Sequence, residues 1–255
     1  MIVGMIRYSV EAAFNKDRPD SVRDVYADPY FSERFKMFCG ITLPSFAQQT
    51  SKDFVLLIYH SHKMPNEKKM LFADLEKTFS FIRNIYVSGG RLSVPEEFKS
   101  KRLLSFRIDN DDGMPIDFIE RLRTAAQLHG KKSDNFAITI PHMRKVCRID
   151  EKEYQTLDCD FVANSMGLAY FGSDGRNVMD LGNHRLFPYN VPTLFVDGNG
   201  GLQIINGTNV ANGFNKVYNK QSELKNVTES ELQELLSAEG YGILNLKSLP
   251  IINQR

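Results

Sequence analysis

Six apolar residues in a row, Phe54-Val55-Leu56-Leu57-Ile58-Tyr59, constrain this chain more than any other feature. A run that short, rich in β-formers and without polar alternation, is a strand covered on both faces, which demands helices on each side of a sheet. The surrounding pattern supplies them. Met1 to Val10 reads as a first strand. Ser32-Glu33-Arg34-Phe35-Lys36-Met37-Phe38 opens a helix with Ser32 as N-cap and a kink or break at Pro44. Asn66 to Phe79 places Met70, Leu71, Leu75 and Phe79 on one stripe opposite Lys and Glu, an amphipathic helix. Ile82 to Val87 and Leu103 to Ile108 are further strands. Pro115 starts a helix whose buried face is Ile116, Ile119, Leu122, Ala126 and Leu128. This alternation from residue 1 to about 140 predicts an α/β fold with a mostly parallel central sheet, flanked by helices, and ligands at the carboxyl ends of its strands.

Phe14 to Tyr30 is a long polar passage between the first strand and the first helix, of the length that tends to be functional. Beyond Phe136 the alternation is lost. Phe136 to Ile140 reads as a strand, Asp160 to Phe171 as two short ones, and Gly172 to Gly213 as turn-rich loops. Thr228-Glu229-Ser230-Glu231 is a capping box for a last helix through Leu236, and Ile243 to Leu246 a closing strand or extended tail. No repeat or low-complexity segment interrupts the chain.

At 255 residues the chain suits one large domain. With 32 Lys plus Arg against 31 Asp plus Glu, its formal charge is +1, which favours neither nucleic acid nor membrane. Cys39, Cys147 and Cys159 have no metal or disulfide spacing, so a reducing cytoplasm fits best. Arg7 and the lack of a small-residue cleavage site argue against a signal peptide. No apolar run reaches the roughly 20 residues of a membrane span. Peripheral membrane association stays open, and the sequons at Asn206 and Asn226 read as chance.

The strand Leu103 to Ile108 ends in Asp109-Asn110-Asp111-Asp112-Gly113, three carboxylates within four residues. Like charges this close raise one another's pKa, so they need full solvation or a cation. Four readings follow. An EF-hand loop fails, because Gly113 falls at the fifth position and a strand precedes it. A dehalogenase-type phosphatase would use Asp109 as nucleophile and Asp111 as general acid, but Gly113 departs from that pattern. A nucleotide-sugar site would hold a divalent metal between the carboxylates and a diphosphate. A solvated turn would have no chemistry.

The sequence around the cluster, Phe106-Arg107-Ile108-Asp109-Asn110-Asp111-Asp112-Gly113, resembles the RLDNDDA signature of a bacterial rhamnosyltransferase family of GT-A type. Arg34-Phe35, then Leu43-Pro44-Ser45-Phe46-Ala47-Gln48-Gln49-Thr50 and Asp53-Phe54, are similar to that family's RF…LPSL..QT..dF segment. Ile205-Asn206-Gly207-Thr208-Asn209-Val210-Ala211-Asn212 resembles its late HGxNxSN segment, with Ile205 in place of His. Tyr59-His60-Ser61-His62 stands where GT-A enzymes commonly carry a base-binding Asp.

The resemblance implies a single GT-A-like nucleotide-diphospho-sugar transferase domain. Residues 1–135 would be the donor half, 136–220 the acceptor and catalytic half, and 221–255 a terminal helix and tail. It implies a UDP- or dTDP-linked donor, plausibly of L-rhamnose, a saccharide acceptor in surface polysaccharide synthesis, and Mn2+ or Mg2+. Asp109 would contact donor and metal, Asp111 would ligate the metal, and Asp112 would hold a donor hydroxyl or a metal-bound water. Arg7, Tyr8 and Ser9 would border the nucleotide, with Arg7 on phosphate and Tyr8 stacked on the base. Arg107 would pair with the carboxylates or the donor. An inverting transfer needs a base, for which Asp174, Asp180, His184 and Asp197 are candidates, and His184 would otherwise complete the metal site. His60, His62, His129 and His142 carry no partner pattern. A phosphatase and a non-catalytic sugar- or metal-binding module are the alternatives to a transferase.

Overall fold

The computed structural model of the protein describes residues 1–10, 25–89, 91–160, 166–182, 187–206 and 224–252. Strand β1 (Ile2–Ser9) lies between β2 (Phe54–Ser61) and β4 (Leu103–Arg107), with β3 (Ile82–Val87) outside β2. All three of these pairings are parallel, with Ile6 opposite Ile58 and Met5 opposite Arg107. Every residue of β2 is buried, as its unbroken apolar run requires. Beyond β4 come β8 (Ala169–Gly172), β5 (Phe136–Thr139) and β9 (Thr193–Phe195), and only β8 runs against its neighbours. The sheet is therefore mostly parallel, as the sequence predicts.

Its two faces carry separate cores. Ile6, Phe46, Leu56, Ile58, Phe72, Phe106 and Ile119 pack on one, and Met5, Val55, Leu57, Tyr59, Leu92 and Tyr170 on the other. Helices α1 (Tyr30–Met37), α2 (Leu43–Ala47), α3 (Asn66–Thr78) and α4 (Phe118–His129) supply the first. Helix α1 begins before Ser32, at Tyr30, with Pro29 as its N-cap residue. Ser32 is therefore not the N-cap, and its backbone N–H donates to the Asp28 carboxylate at 3.3 Å.

A π-helical turn, Phe38–Thr42, separates α1 from α2. Pro44 has no N–H to offer the Gly40 carbonyl one turn earlier. That carbonyl accepts instead from Asn245 N–H at 2.9 Å, so the proline opens the helix to the C-terminal segment. Two helical stripes differ from expectation. In α3 the buried residue is Phe72, while Met70 and Leu71 are exposed. In α4 Phe118 and Ala125 join the buried face and Leu128 points outward, because the helix starts three residues after Pro115.

A second sheet, ordered β10-β6-β7-β11, is built from β6 (His142–Arg148), β7 (Glu153–Asp160), β10 (Leu202–Ile204) and β11 (Lys225–Thr228). Of the two strands expected over Asp160 to Phe171, β8 is present and residues 161–165 lie outside the described residues; the β6–β7 hairpin, whose inward residues include Arg144 and Thr156, is not expected from the sequence. Arg144 is 5% exposed and forks onto Glu239 at the end of α6 (Glu229–Ala238), the helix that the Thr228–Glu231 capping box starts. A short helix α5 (Phe187–Asn190) precedes β9. Ile243 to Leu246 is not a strand; the tail bends into a 3-10 turn, Leu246–Ser248, and touches β6 where Ile251 bridges Arg148.

His60 at the end of β2 is fully buried against Tyr8, Phe72 and Tyr86, with Nε2 3.1 Å from the Asn84 side chain. Burial pulls its pKa down from 6.5 to about 4, although the Asn84 contact works the other way. The unfolded chain takes up this proton first as pH falls, so stability is lost between pH 6.5 and about 4. The wild type should lose up to about 3 kcal/mol across that window, whereas His60→Gln loses correspondingly less, as read by urea denaturation at pH 7 and pH 4.5.

Candidate functional site

Strand β4 delivers the acidic turn to the carboxyl end of the sheet. Asp109 is exposed, but Asn110, Asp111 and Asp112 are each 2% exposed or less. A solvated turn is thus ruled out for two of the three carboxylates, and their partners come from far along the chain. Asp111 Oδ2 accepts from Asn206 Nδ2 at 2.7 Å, and Asp111 Oδ1 lies 3.4 Å from the Arg34 guanidinium. Arg34 also donates to the Asn110 side-chain oxygen, and Asn206 Nδ2 lies 3.5 Å from Met37 sulfur. Asp112 Oδ1 accepts from Ile204 N–H at 3.2 Å, and Gly113 and Leu202 exchange both backbone bonds at 2.9 Å. One turn thereby joins α1, β4 and the end of β10.

The charges respond to this setting. Burial raises the pKa of Asp111, the Arg34 guanidinium lowers it, and Asp109 raises it again, leaving it above its usual value. Burial and the neighbouring Asp111 and Asp109 push Asp112 up further. Burial works against the Arg34 charge, but the carboxylates of Asp111 and Asp109 outweigh it and keep the guanidinium protonated.

At the end of β1 the ladder shifts: Arg7 faces Tyr59 but Ser9 faces His60, so Tyr8 is the extra residue. Such irregularities re-aim side chains beside sites. Tyr8 does not form an open stacking platform. Its ring meets Phe31, Phe38, His60 and Phe72 at centroid distances of 4.6–6.1 Å, and its hydroxyl has no partner among the described residues. Ser9 is buried with its carbonyl accepting from Tyr26 at 3.2 Å. Arg7 is exposed and Arg107 half-buried beside it, and burial lowers the Arg107 pKa while Asp109 raises it and Arg7 lowers it. Contrary to the expected ion pair, Arg107 makes none with the carboxylates.

The candidate bases are scattered. Asp174 follows Gly172, which lies opposite Leu103 at the amino end of β4. Five strand residues, roughly 16 Å, separate that end from the acidic turn. Partial burial raises the Asp174 pKa, but hydrogen bonds from Tyr170 at 2.8 Å and Arg176 at 2.5 Å bring it below the usual range. Asp180 is held by both Arg91 nitrogens at 2.6 Å and caps Asn177 N–H at 2.8 Å. Each of these carboxylates is thus engaged by an arginine, Asp174 by Arg176 and Asp180 by Arg91. His184 lies outside the described residues. Asp197 follows β9 at the same end as the acidic turn and is exposed. A cavity of about 470 Å³ opens beside it, among Thr50, Asp117, Arg121, Asn199 and Glu239, and another of about 400 Å³ lies against α1. The acidic turn lines neither.

The donor set expected for Mn2+ or Mg2+ is not assembled by the described residues. Asp111 is engaged by Arg34 and Asn206, Asp112 is turned to the Ile204 amide, and only Asp109 presents an exposed carboxylate. Among the described residues no three His, Cys, Asp or Glu side chains converge as ligands. Ile205, in place of the expected His, is buried with Cys147, Leu157 and Ile252.

The family model described as "Putative rhamnosyl transferase" matches residues 1–216. The chain belongs to this family. The matched span includes Arg34, the acidic turn and Asn206. No curated protein matches the chain. Among solved structures, S. aureus TarS is similar with a TM-score of 0.46 and 9% identity, over 81% of this chain and 37% of that one. TarS 1-349 with UDP-GlcNAc scores 0.46 at 9% identity, over 80% and 59% of the two chains. The complex with UDP scores 0.47 at 9% identity, over 81% and 61%. The protein spans less than two thirds of the length of these chains. No helix among the described residues is long and apolar enough to cross a membrane.

Sequence reasoning missed Arg34 and Asn206 as site residues, although both sit inside the segments that carry the family resemblance. Removing Arg34 leaves Asp111 buried without its counter-charge. Arg34→Met should cost about 3–5 kcal/mol at pH 7 by urea denaturation. The raised Asp111 pKa makes its ionisation a burden that grows with pH, so the loss in Arg34→Met should shrink on acidification toward pH 5.

Proposed function

We propose that the protein is a glycosyltransferase that moves a sugar, L-rhamnose by family, from a UDP- or dTDP-linked donor to a saccharide acceptor in surface polysaccharide synthesis. The observation that carries this reading is the convergence of Arg34, Asp111 and Asn206 at the carboxyl end of a mostly parallel sheet. In open α/β sheets ligands bind at that end. Three segments that the family model spans meet there through buried polar contacts, which a fold keeps only when each group is satisfied.

In this reading the buried triad fixes the backbone of the turn, and the exposed Asp109 accepts hydrogen bonds from the donor sugar. During transfer the acceptor oxygen bonds to the anomeric carbon as the bond from that carbon to the diphosphate breaks. The electron pair leaves with the nucleoside diphosphate, and the acceptor proton passes to a base.

Incubating the protein with a panel of UDP- and dTDP-sugars should release nucleoside diphosphate from one donor well above the rest. Asp109→Asn should lower that rate by roughly ten- to a hundredfold, the value of one charge-assisted hydrogen bond, with an unchanged melting temperature. Phosphate release from a general phosphatase substrate with no nucleotide-sugar turnover would overturn the assignment.

A further inference from the structure

Two arginines at the carboxyl end of the sheet have no counter-ion among the described residues. Arg107 ends β4 opposite Met5, and Arg7 lies two residues further along β1, before the register shift at Tyr8. Arg7, Met5 and Arg107 therefore share one face, opposite to that of Tyr8. The two arginines are diagonal neighbours on adjacent parallel strands, offset by two residues and one strand spacing, so their Cβ atoms lie roughly 8 Å apart, close enough for two long side chains to meet on one anion. Neither side chain makes an ion pair or hydrogen bond with a described residue. Asp109 lies in their field but not in contact.

Two cations side by side repel, and a half-buried guanidinium without a partner carries a cost that a bound anion would offset. By contrast, Arg34 and Arg144 are each closed by carboxylates. Of the three carboxylates that a divalent ion would use, Asp111 and Asp112 are engaged within the protein and Asp109 alone is exposed.

We propose that Arg7 and Arg107 form the seat for the donor diphosphate and neutralise the leaving group with guanidinium groups in place of a divalent metal ion. The nucleoside diphosphate leaves with one more negative charge than it carried in the donor, and two forked donors on adjacent strands can take it up. The role rests on the glycosyltransferase reading for its substrate, but the anion seat is testable without it.

The probe is inorganic pyrophosphate, followed by UDP and dTDP, titrated calorimetrically into the full chain in EDTA and again with Mn2+. The expected result is binding in EDTA that Mn2+ strengthens little. Arg107→Gln and Arg7→Gln should each weaken it by roughly 10–100-fold, the value of a charge-assisted bond, and Arg107→Lys by less. Arg107→Gln should also melt at or above the wild-type temperature, because it removes an unpaired cation. Binding only when Mn2+ or Mg2+ is present, or unchanged binding in both Gln variants, overturns the proposal. Arginine-dependent pyrophosphate binding without turnover of any nucleotide sugar would leave the seat standing and sink the transferase reading. Turnover that depends on Mn2+, with no pyrophosphate binding in EDTA, would do the reverse.

Discussion

The contact between Asp111 and its two partners, Arg34 and Asn206, is the constraint on which the remaining structure depends. A carboxylate 2% exposed carries a desolvation penalty of several kcal/mol unless charge and hydrogen bonds offset it. Here one partner comes from the first helix and the other from the end of β10. Satisfying that one group fixes where α1 lies against β4 and where the second sheet meets the first. The neighbouring bonds, Asp112 to Ile204 and Gly113 to Leu202, follow the same seam.

The C-terminal segment is drawn into this seam by the chemistry of proline. Because Pro44 leaves the Gly40 carbonyl without its helical donor, Asn245 takes the position, and Ser248 lies where a side chain on Gly40 would stand. Arg144 works similarly on the other side, joining β6 to the end of α6 through Glu239. Both contacts use polar groups that the local sequence leaves open, one tying the tail to the helix break after α1 and the other tying α6 to the second sheet.

The first half of the fold is legible because its signals are local. The apolar run in β2, the strand that runs into Asp109 and the amphipathic texture of α3 each lie within one window of sequence. The acidic turn is legible as a site for the same reason. What escapes is set by partners far along the chain. The β6–β7 hairpin hides its inward Arg144, whose forked partner Glu239 arrives 95 residues later. Arg34 looks like an ordinary helix-surface charge until the turn that it neutralises folds onto it. Asp174 and Asp180 attract attention through composition, but a turn-rich stretch does not disclose to which end of a sheet its turns return. Tyr8 is drawn from its expected role because strand alternation puts it on the face of Ile6, where Phe31, Phe38 and Phe72 arrive from the helices to enclose it.

The distance in sequence between Asp111 and Asn206 also orders events in time. During synthesis the acidic turn leaves the ribosome long before its amide partner, which lies 95 residues downstream. Strands β1, β2 and β4 can pair by then, yet the carboxylates must stay hydrated until β10 arrives. Contacts of such separation form late, since loop closure precedes their reward. The site therefore cannot become dry before β10 arrives, and until then a nascent chain carries its ligand-binding end open.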